Sequence, residues 1–425
     1  MSFFLKEQQF KPVSNTTFFF YSAFLIEYFL HLSVRIPGLG LIRPTLLLAV
    51  IVIGLLLSQK QILSKRERSD TSDALKALLI YMVLTLPFVS YPGSVIKNNF
   101  PYFVKAIVFF YFTVSAVDTQ ERLKTFLKIF VGCQIFRVLE PLFLHITTGY
   151  WGGATYMGQG EFAGRLAGAP SDVINPNELG FIIVTIIPFL HFLVFPRGGW
   201  KMIFYFCLMA CLLYALILTM SRGSFLALLV VGFMIFKESK NKIFLLVVAM
   251  CIAFSGWSIM TPVQKDRYLS LVSSDSAASG GVDGRFRGMA REFELGMQRP
   301  VLGHGVGTTP EAKFHFTGKK QASHNLYAEL LIEIGVIGMF FFLRFLFRIY
   351  KTLTELKTVI PEEQFESAQM LKVILSLFFM YLIYSTNYWG LSQNYWYLLG
   401  GLSVALIQII ERNKGKDLYE GMDNK

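Results

Sequence analysis

Two arginines and a histidine stand where apolar runs of the chain meet polar stretches, and they carry the clearest chemistry. Arg222 lies between two apolar runs, Arg285 lies within the polar stretch 261–324, and His324 closes that stretch. Charged side chains at the ends of membrane spans are costly, so they usually serve a ligand or a reaction. A guanidinium group binds phosphate oxygens through two hydrogen bonds and stays charged at any working pH. We therefore expect these arginines to bind an anion; the alternative is that they extend to lipid headgroups.

His324 is followed by Asn325 and then by an apolar segment that carries Glu329 and Glu333. The four-residue spacing places the two carboxylates on one face of a predicted helix. A histidine titrates near neutral pH and suits proton transfer, whereas carboxylates inside a membrane need partners. The two glutamates below it strengthen the case for a catalytic His324, with Asn325 and Glu329 placed to contact a substrate. The alternative is a structural histidine at the edge of a membrane span.

Other polar residues give weaker signals. Arg165 and Asn177 lie in one glycine-rich connection and are candidates for holding donor or acceptor sugars. Arg137 and Glu140 stand three residues apart inside an apolar run, and this spacing predicts an ion pair within one helix. We expect that pair to be structural.

The composition excludes an ordinary soluble protein. Of the 425 residues, 54% are hydrophobic and only 16% are charged, against about 25% in soluble domains. The class is therefore an all-α, polytopic membrane protein. The net charge of +12 could suggest nucleic acid, but the Lys and Arg residues cluster in short connections between apolar runs, as cytoplasmic loops do. We expect no nucleic-acid partner.

Apolar runs of about 20 residues predict twelve transmembrane helices in a single transmembrane domain, residues 1–425. The predicted spans are 17–35, 41–59, 74–92, 100–118, 125–145, 176–195, 202–220, 222–237, 242–260, 325–347, 371–388 and 391–410. A large loop, residues 261–324, is inserted between the ninth and tenth spans.

The positive charges predict the orientation of these spans. Each connection that follows an even-numbered span carries Lys or Arg, as does the C-terminal tail. Because cytoplasmic loops collect positive charge, both termini are predicted to be cytoplasmic. Arg35, Arg43, Arg222 and the large loop break this rule on the outer side. We take Arg43 and Arg222 as candidate substrate contacts, whereas a long loop crosses regardless of its charge.

The large loop contains one predicted helix and one turn. Apolar residues at helical spacing between Arg285 and Arg299 predict an amphipathic helix that ends at Pro300. Residues 303–307 read Gly-His-Gly-Val-Gly, without the third glycine and the preceding strand of a dinucleotide-binding loop. We interpret this segment as a flexible turn and His304 as a loop histidine.

Four segments together resemble the O-antigen ligase and O-antigen polymerase superfamily, which are bacterial inner-membrane glycosyltransferases. The segments are Ser-Arg-Gly-Ser at 221–224, Asn-Pro-Asn-Glu-Leu-Gly at 175–180, Pro-Val-Leu-Gly-His-Gly at 300–305, and 324–338, which begins His-Asn-Leu-Tyr-Ala-Glu. The last segment is the most specific, and the resemblance covers roughly residues 145–345. It implies a GT-C-like bundle with short amphipathic helices in a large periplasmic loop.

The resemblance also implies a metal-independent, inverting enzyme without a cofactor, acting on polyprenyl-diphosphate-linked glycans at the periplasmic face. The family's loop arginine matches Arg285 best, with Arg287 and Arg291 as rivals. Its other arginine matches Arg222, and its histidine matches His324. The chemistry agrees, because positive charge must stabilise the leaving diphosphate and a base must take the proton of the attacking hydroxyl. No Asp-x-Asp motif or clustered carboxylates in the outer loops offer a metal site instead.

Three functions remain open at this stage. A ligase would transfer the glycan to lipid A-core, and we favour this reading; a polymerase would join lipid-linked repeat units. A polysaccharide transporter is the remote alternative. Transporters place polar residues at mid-membrane and often show repeated halves, whereas here the candidate residues lie at one membrane face and no repeat is visible. The expected partners are the lipid-linked donor, a glycan or lipid A-core acceptor, and membrane lipids. The expected location is the bacterial inner membrane.

Overall fold

Helices form nearly all of the regular structure in the computed structural model, which describes residues 11–64, 69–158, 161–269, 280–360, 364–388 and 390–423. The first nine helices are α1 (Asn15–Leu30), α2 (Leu32–Arg35), α3 (Pro44–Ser58), α4 (Lys60–Ser64), α5 (Asp70–Thr85), α6 (Pro92–Ser94), α7 (Phe100–Ala116), α8 (Gln120–Thr148) and α9 (Pro176–Phe189). The next nine are α10 (Trp200–Thr219), α11 (Arg222–Glu238), α12 (Lys242–Ile259), α13 (Pro262–Leu269), α14 (Gly280–Gln298), α15 (Thr309–Thr317), α16 (Leu326–Val359), α17 (Phe365–Tyr384) and α18 (Asn394–Asp423). Short 3₁₀ segments lie at Leu39–Ile42, Leu86–Phe88 and Phe195–Arg197, and π-helical segments at Val95–Asn99 and Leu190–Val194.

The apolar runs predicted as spans all contain helices. Within the described ranges, nine helical segments are long and apolar enough to cross a membrane. The other three predicted spans correspond to α1, α11 and α18. The all-α, polytopic fold is therefore confirmed, and the number of crossings stays a prediction.

One connection holds more structure than the sequence indicates. The glycine-rich segment between α8 and α9 contains an antiparallel hairpin, β1 (Gly152–Gly158) and β2 (Glu161–Leu166). Gly152 lies opposite Leu166 and Thr155 lies opposite Ala163. Glycines interrupt the apolar–polar alternation that would predict strands, which explains why the hairpin is not evident from the sequence.

The hairpin lies at one end of the helix bundle, which we call the hairpin end. The described segments that meet there are 31–43, 86–99, 149–158, 161–175, the turn between α10 and α11, 260–269, 280–325, 385–388 and 390–393. Arg35 pairs with Glu140 near the end of α8, Tyr91 N donates to His304 O over 3.2 Å, and Arg267 reaches the hairpin at Thr155. Alternate connections of the chain therefore gather at the same end.

The remaining connections meet each other at the opposite end. Lys124 pairs with Glu366 at 2.9 Å, Lys372 with Glu238 at 3.0 Å, and Arg348 with Asp70 at 2.7 Å. This grouping agrees with helices that run alternately up and down. It matches the order in which the sequence assigns connections to the two sides.

Helix α16 is kinked, and the kink receives part of the large loop. Gly335 has φ 65° and ψ −175°, which interrupts the helical backbone. Val336 N donates to Pro300 O over 2.7 Å, and Gly305 N donates to Glu333 O over 2.9 Å. The backbone groups freed by the kink are thus satisfied by the segment 300–309.

The predicted amphipathic helix is confirmed as α14, which ends at Gln298 before Pro300. It packs along α16, and Gly296 lies against the side chain of Leu331, where a Cβ atom would approach Leu331 Cγ to 2.7 Å. A residue without a side chain permits this close approach. The large loop therefore folds onto the bundle through α14.

Candidate functional site

Three buried arginines surround the turn between α10 and α11. Arg165 and Arg222 are each 7% exposed, and Arg267 is 8% exposed. The turn forms because Met220 adopts a left-handed conformation, φ 48°, and ends α10. Ser221 then caps α11, its Oγ accepting from Ser224 N over 3.3 Å. We call Arg165, Arg222 and Arg267 the arginine cluster.

Two members of the cluster bind the end of α10. Arg165 Nε donates to Thr219 O over 2.8 Å, and Arg267 Nε donates to Met220 O over 2.9 Å. The last carbonyls of a helix lack partners within it and carry partial negative charge, so guanidinium groups suit them. Arg165 Nη2 also donates to Asn177 Oδ1 (2.9 Å), and Arg267 Nη1 to Thr155 Oγ1 (3.0 Å). These bonds go to uncharged oxygens and position the two guanidinium groups at the end of α10.

Arg222 is the first residue of α11, a helix of 17 residues. The first N–H groups of a helix and its dipole favour an anion at this place. The buried guanidinium group of Arg222 adds a full charge beside that helix start. The turn between α10 and α11 therefore combines three cations with a helix N-terminus.

Asn177 lies on the neighbouring helix α9, where the predicted polar segment forms a capping box. Asn175 Oδ1 accepts from Asn177 N (2.9 Å) and Glu178 N (3.1 Å), and Glu178 Oε2 accepts from Asn175 N (3.0 Å). The carbonyl of Asn177 accepts from Tyr384 Oη over 2.8 Å. The start of α9 is thereby fixed against both the arginine cluster and α17.

The His324 segment reaches the same region through the connection after α17. Leu326 N donates to Ser385 O over 2.9 Å, and Asn325 Nδ2 donates to Thr386 O over 3.1 Å. The next residue, Asn387, lies beside Gly223, where a Cβ atom would stand 3.4 Å from the Asn387 Cβ atom. Residues 385–387 therefore lie between the start of α16 and the start of α11 and contact both.

His324 is exposed, and its Nε2 atom lies 2.9 Å from Gln321 Nε2. An amide nitrogen donates hydrogen bonds, so the ring nitrogen is the acceptor in this contact. The same lone pair would accept the proton of a substrate hydroxyl. Gln321, which the sequence reading missed, therefore marks where that hydroxyl would bind.

Helix α14 lies against the start of α16 through two contacts. Asn325 Nδ2 donates to the Met289 sulfur over 2.8 Å, and Ser323 Oγ donates to Glu292 Oε2 over 2.7 Å. Position 285 lies one turn before Met289 on that helix face. The side chain of Arg285 lies outside the described residues.

The two other loop arginines lie on a different face of α14. Arg287 and Arg291 are exposed and stand two residues before and after Met289. Two residues correspond to a rotation of about 200° around a helix. The docking of α14 therefore separates these two arginines from the face that meets Asn325.

The two glutamates of α16 are held by backbone amides. Glu329 Oε2 accepts from Gly390 N (2.7 Å) and Leu391 N (3.2 Å), while Glu333 accepts from Gly307 N (2.7 Å) and Thr309 Oγ1 (2.8 Å). Both are buried and tie connections to the helix. The structure thus gives Glu329 a clear anchoring task, and its contact with a substrate stays a prediction.

His304 is buried within the glycine turn. Its Nδ1 atom lies 3.1 Å from Ile332 O, and its backbone nitrogen donates to the same oxygen over 2.7 Å. Burial lowers the pKa of His304, and nearby Arg299 adds to this effect. A neutral ring held in this way is a structural loop histidine, as the sequence indicates.

Two expectations are modified by the structure. Arg137 does not pair with Glu140: it binds Asp172 through Nε (2.6 Å) and Nη2 (3.0 Å), while Glu140 binds Arg35. The predicted pair within one helix was wrong because each residue reaches a distant segment. Arg43 lies exposed before α3, which packs mainly on α1, and no contact among the described residues joins it to the arginine cluster.

Arg267 is the cluster member that sequence reasoning missed. It lies in the short helix α13, and its burial depends on contacts with Met220 and Thr155. The only signal in the sequence was a charged residue soon after the ninth predicted span. Buried Tyr268 beside it packs against Phe225, with ring centroids 5.3 Å apart, so α13 folds back onto α11.

Comparison with known families settles the relationship of this region. A family model described as O-antigen ligase matches residues 180–343. This segment is similar to the O-antigen ligase family. It contains Arg222, Arg267, helix α14 and His324, and it begins three residues after Asn177. The resemblance seen in the sequence is thereby confirmed, and the match supports a membrane enzyme of the O-antigen ligase or polymerase type.

No curated protein matches the chain. Substrates in general follow from the family: a lipid-linked glycan and an acceptor.

Proposed function

We propose that the protein transfers a polyprenyl-diphosphate-linked oligosaccharide or polysaccharide to lipid A-core, in the manner of an O-antigen ligase. The observation that carries this proposal is the arginine cluster at the start of α11, which residues 385–387 join to the His324 segment. Three buried cations suit a ligand with several negative charges, and a diphosphate is such a ligand. The family match supports an enzyme of the ligase or polymerase type, and we propose the ligase.

The bond changes assign a role to each group. The acceptor hydroxyl oxygen attacks the anomeric carbon of the donor while His324 takes the hydroxyl proton. The bond between that carbon and the diphosphate oxygen breaks, and the polyprenyl diphosphate leaves with both electrons. Attack from the face opposite the leaving group inverts the anomeric configuration.

We expect arginines at the leaving group to stabilise the transition state more than the bound substrate. Negative charge builds up on the diphosphate as the glycosidic bond breaks, and fixed cations in a buried site stabilise it without reorganisation. Arg222 and Arg285 are assigned this role. Arg165 and Asn177 lie beside the turn that leads into Arg222, where they would position the donor.

We propose a metal-independent reaction. Among the described residues, no three His, Cys, Asp or Glu side chains group closely enough to hold a metal ion. The positive charge that a metal would bring is provided by guanidinium groups in this arrangement. Addition of EDTA tests the idea, since a loss of transfer that a divalent cation restores would contradict it.

The orientation in the membrane is also proposed. The connections at the opposite end carry Lys124, Arg197 and Lys372, as expected of cytoplasmic segments. We place that end and both termini in the cytoplasm of a bacterium and the hairpin end, with the arginine cluster, in the periplasm. Residues 1–425 then form one domain of the inner membrane, with 261–324 as its periplasmic loop.

Reconstitution with two competing acceptors tests the function. The purified protein in lipid nanodiscs is supplied with a polyprenyl-diphosphate glycan, lipid A-core and a second lipid-linked repeat unit. Glycan on lipid A-core supports the ligase, and extension of the lipid-linked unit identifies a polymerase. Absence of both products, with a folded protein and intact donor, would contradict both readings.

A further inference from the structure

A second polar feature lies beside the arginine cluster: a cavity of about 390 Å³ at the hairpin end. This volume falls within the range of about 300–1,000 Å³ that is typical of small-molecule sites. Exposed Val34 and Val173 lie at its rim, and buried Tyr381 and Tyr395 lie deeper. The cavity therefore extends from the connections at the hairpin end into the interior of the helix bundle.

The charged groups of the cavity are largely paired among themselves. Arg137 binds the fully buried Asp172 through two hydrogen bonds, and His31 Nδ1 lies 3.3 Å from Asp172 Oδ1. Burial alone would raise the pKa of Asp172, but the hydrogen bonds from His31 and Arg137 outweigh it and lower the pKa to about 2. The second carboxylate, Glu178, accepts a hydrogen bond from Tyr388 Oη. Among the residues that line the cavity, Glu178 is the carboxylate an anionic ligand would face, while the charge of Arg137 is already paired with Asp172 behind the lining. The cavity therefore does not suit a phosphate.

The rest of the lining combines aromatic rings with amides. Phe181 stands 5.1 Å from Tyr381 and 5.1 Å from Tyr395 between ring centroids, which makes a continuous aromatic wall. Gln393 and Asn394 lie at the same cavity and carry both donors and acceptors. A hydrocarbon chain would exclude water from these half-buried amides and leave them without partners, which is costly. A pyranose ring suits both surfaces, because it has apolar C–H faces and hydroxyl edges.

The position of the cavity relates it to the proposed reaction. Asn177 and Glu178 are adjacent at the start of α9, but they face different sites. Asn177 Oδ1 accepts from Arg165 in the arginine cluster, whereas Glu178 lines the cavity. A diphosphate at the cluster and a sugar in the cavity would thus lie on the two sides of one helix start.

We propose that this cavity binds an uncharged sugar unit of the glycan that takes part in the transfer reaction. The inference rests on the proposed function. The sugar comes from the lipid-linked donor or from the acceptor, since both offer the same ring chemistry. Aromatic stacking and amide hydrogen bonds recognise it, and the diphosphate contributes nothing to this site.

Two substitutions test the cavity in different ways. Ile182→Trp fills it from α9, and Gln393→Leu removes one amide at nearly constant size. Gln364→Leu, at the opposite end, is the matched control for the loss of an amide. Binding to the full-length protein in nanodiscs is measured for three probes: polyprenyl diphosphate, the same lipid carrying a neutral trisaccharide, and free lipid A-core oligosaccharide.

We expect the wild-type protein to bind the trisaccharide lipid about tenfold more tightly than the bare lipid, as two hydrogen bonds would provide. Ile182→Trp should abolish this preference, and Gln393→Leu should reduce it about fivefold. Each variant should bind the bare lipid with an affinity within about twofold of that of the wild type. The preference of the Gln364→Leu protein for the trisaccharide lipid should also stay within about twofold of the wild-type value. Competition by the free oligosaccharide would assign the cavity to the acceptor, and its absence to the donor.

An unchanged preference in Gln393→Leu and in folded Ile182→Trp protein would overturn the sugar site while leaving the proposed function intact. Equal binding of both lipids by the wild-type protein, together with no binding of the free oligosaccharide, would also overturn it. Failure of the wild-type protein to bind either lipid would instead contradict the proposed function. If Ile182→Trp fails to fold, Gln393→Leu decides the question, with thermal unfolding as the check that it is native.

Discussion

Asn325 donates from Nδ2 to the sulfur of Met289 over 2.8 Å, and this contact fixes the register of α14 against the start of α16. Position 285 falls on the helix face that contains Met289, one turn earlier. Arg287 and Arg291 fall on a different face and are exposed. Among three arginines that the sequence leaves as rivals, this register favours Arg285, and its role stays a prediction.

Arg285→Ala should reduce glycan transfer at least about 100-fold, because a cation at a leaving diphosphate contributes mainly to the transition state. Arg287→Ala and Arg291→Ala are the matched controls on the same helix, and each should retain activity within about threefold, as exposed charges do. Initial rates in nanodiscs measure the effect. Equal losses in all three variants would contradict the register argument.

Arg222→Lys should also be strongly impaired, by about 100-fold in rate, although the charge is kept. Lysine places a point charge where the planar fork of arginine can bind two oxygens at once. Arg344→Lys, an exposed position on α16, is the control for handling and expression. Turnover of Arg222→Lys at the wild-type rate would reduce Arg222 to a residue that anchors the helix start.

His324→Ala should lower the transfer rate by about 10²–10⁴-fold, the usual contribution of a general base. Its melting temperature should remain that of the wild type, because the side chain is exposed. His315→Ala removes another exposed loop histidine and should keep full activity. Normal surface glycan in cells that carry only the His324→Ala protein would remove the assignment of the base.

The fold was accessible from sequence because apolar length decides it. Every predicted span contains a helix, since a membrane leaves helices as the main way to satisfy the backbone. The hairpin was not accessible, because its strands are short and rich in glycine. The kink at Gly335 was also missed: a glycine inside an apolar run is compatible with a straight helix, and only the docked segment 300–309 explains the break.

The site was partly accessible from sequence. Arg222, Arg165 and Asn177 lie close together around the α10–α11 turn. In the sequence they are polar residues between apolar runs, which is why they were candidates for a site. Arg267 escaped notice because only its tertiary contacts distinguish it from a solvated loop charge. Spacing misled for Arg137, whose partner Asp172 lies 35 residues away rather than three.

The stability of the protein should fall as the pH drops through the range in which free histidine titrates. The pKa of His304 is lowered in the folded state, so the unfolded chain takes up a proton first. The stabilisation is complete above the unfolded pKa of about 6.5 and is lost as the pH falls toward the folded pKa.

His304→Gln isolates this effect, because its amide can still donate to Ile332 O but does not titrate in this range. Melting temperatures at pH 7.5 and pH 5.5 should differ less for this variant than for the wild type. The same pH dependence in both proteins would assign it to other groups.

Gly335→Ala should destabilise the protein, by at least about 2 kcal/mol, because two costs combine. Its φ of 65° is unfavourable for a residue with a Cβ atom, and that atom would lie 2.4 Å from Val301 O. Either the kink straightens or the segment 300–309 leaves α16. In both cases the hydrogen bonds between the backbone at the kink and the segment 300–309 are lost, as is the bond from Gly307 N to Glu333.

Gly232→Ala is the matched control, since this glycine is exposed on α11 and an added Cβ atom meets nothing within 4 Å. It should be neutral or slightly stabilising, because alanine favours the helix by up to about 1 kcal/mol. Thermal unfolding in detergent compares the two variants. Both variants are compared with the wild type by their melting temperatures. If Gly335→Ala, like Gly232→Ala, melts at or above the wild-type temperature, the contact between the large loop and the kink does not stabilise the hairpin end. The position of α14 beside His324 would then need another cause.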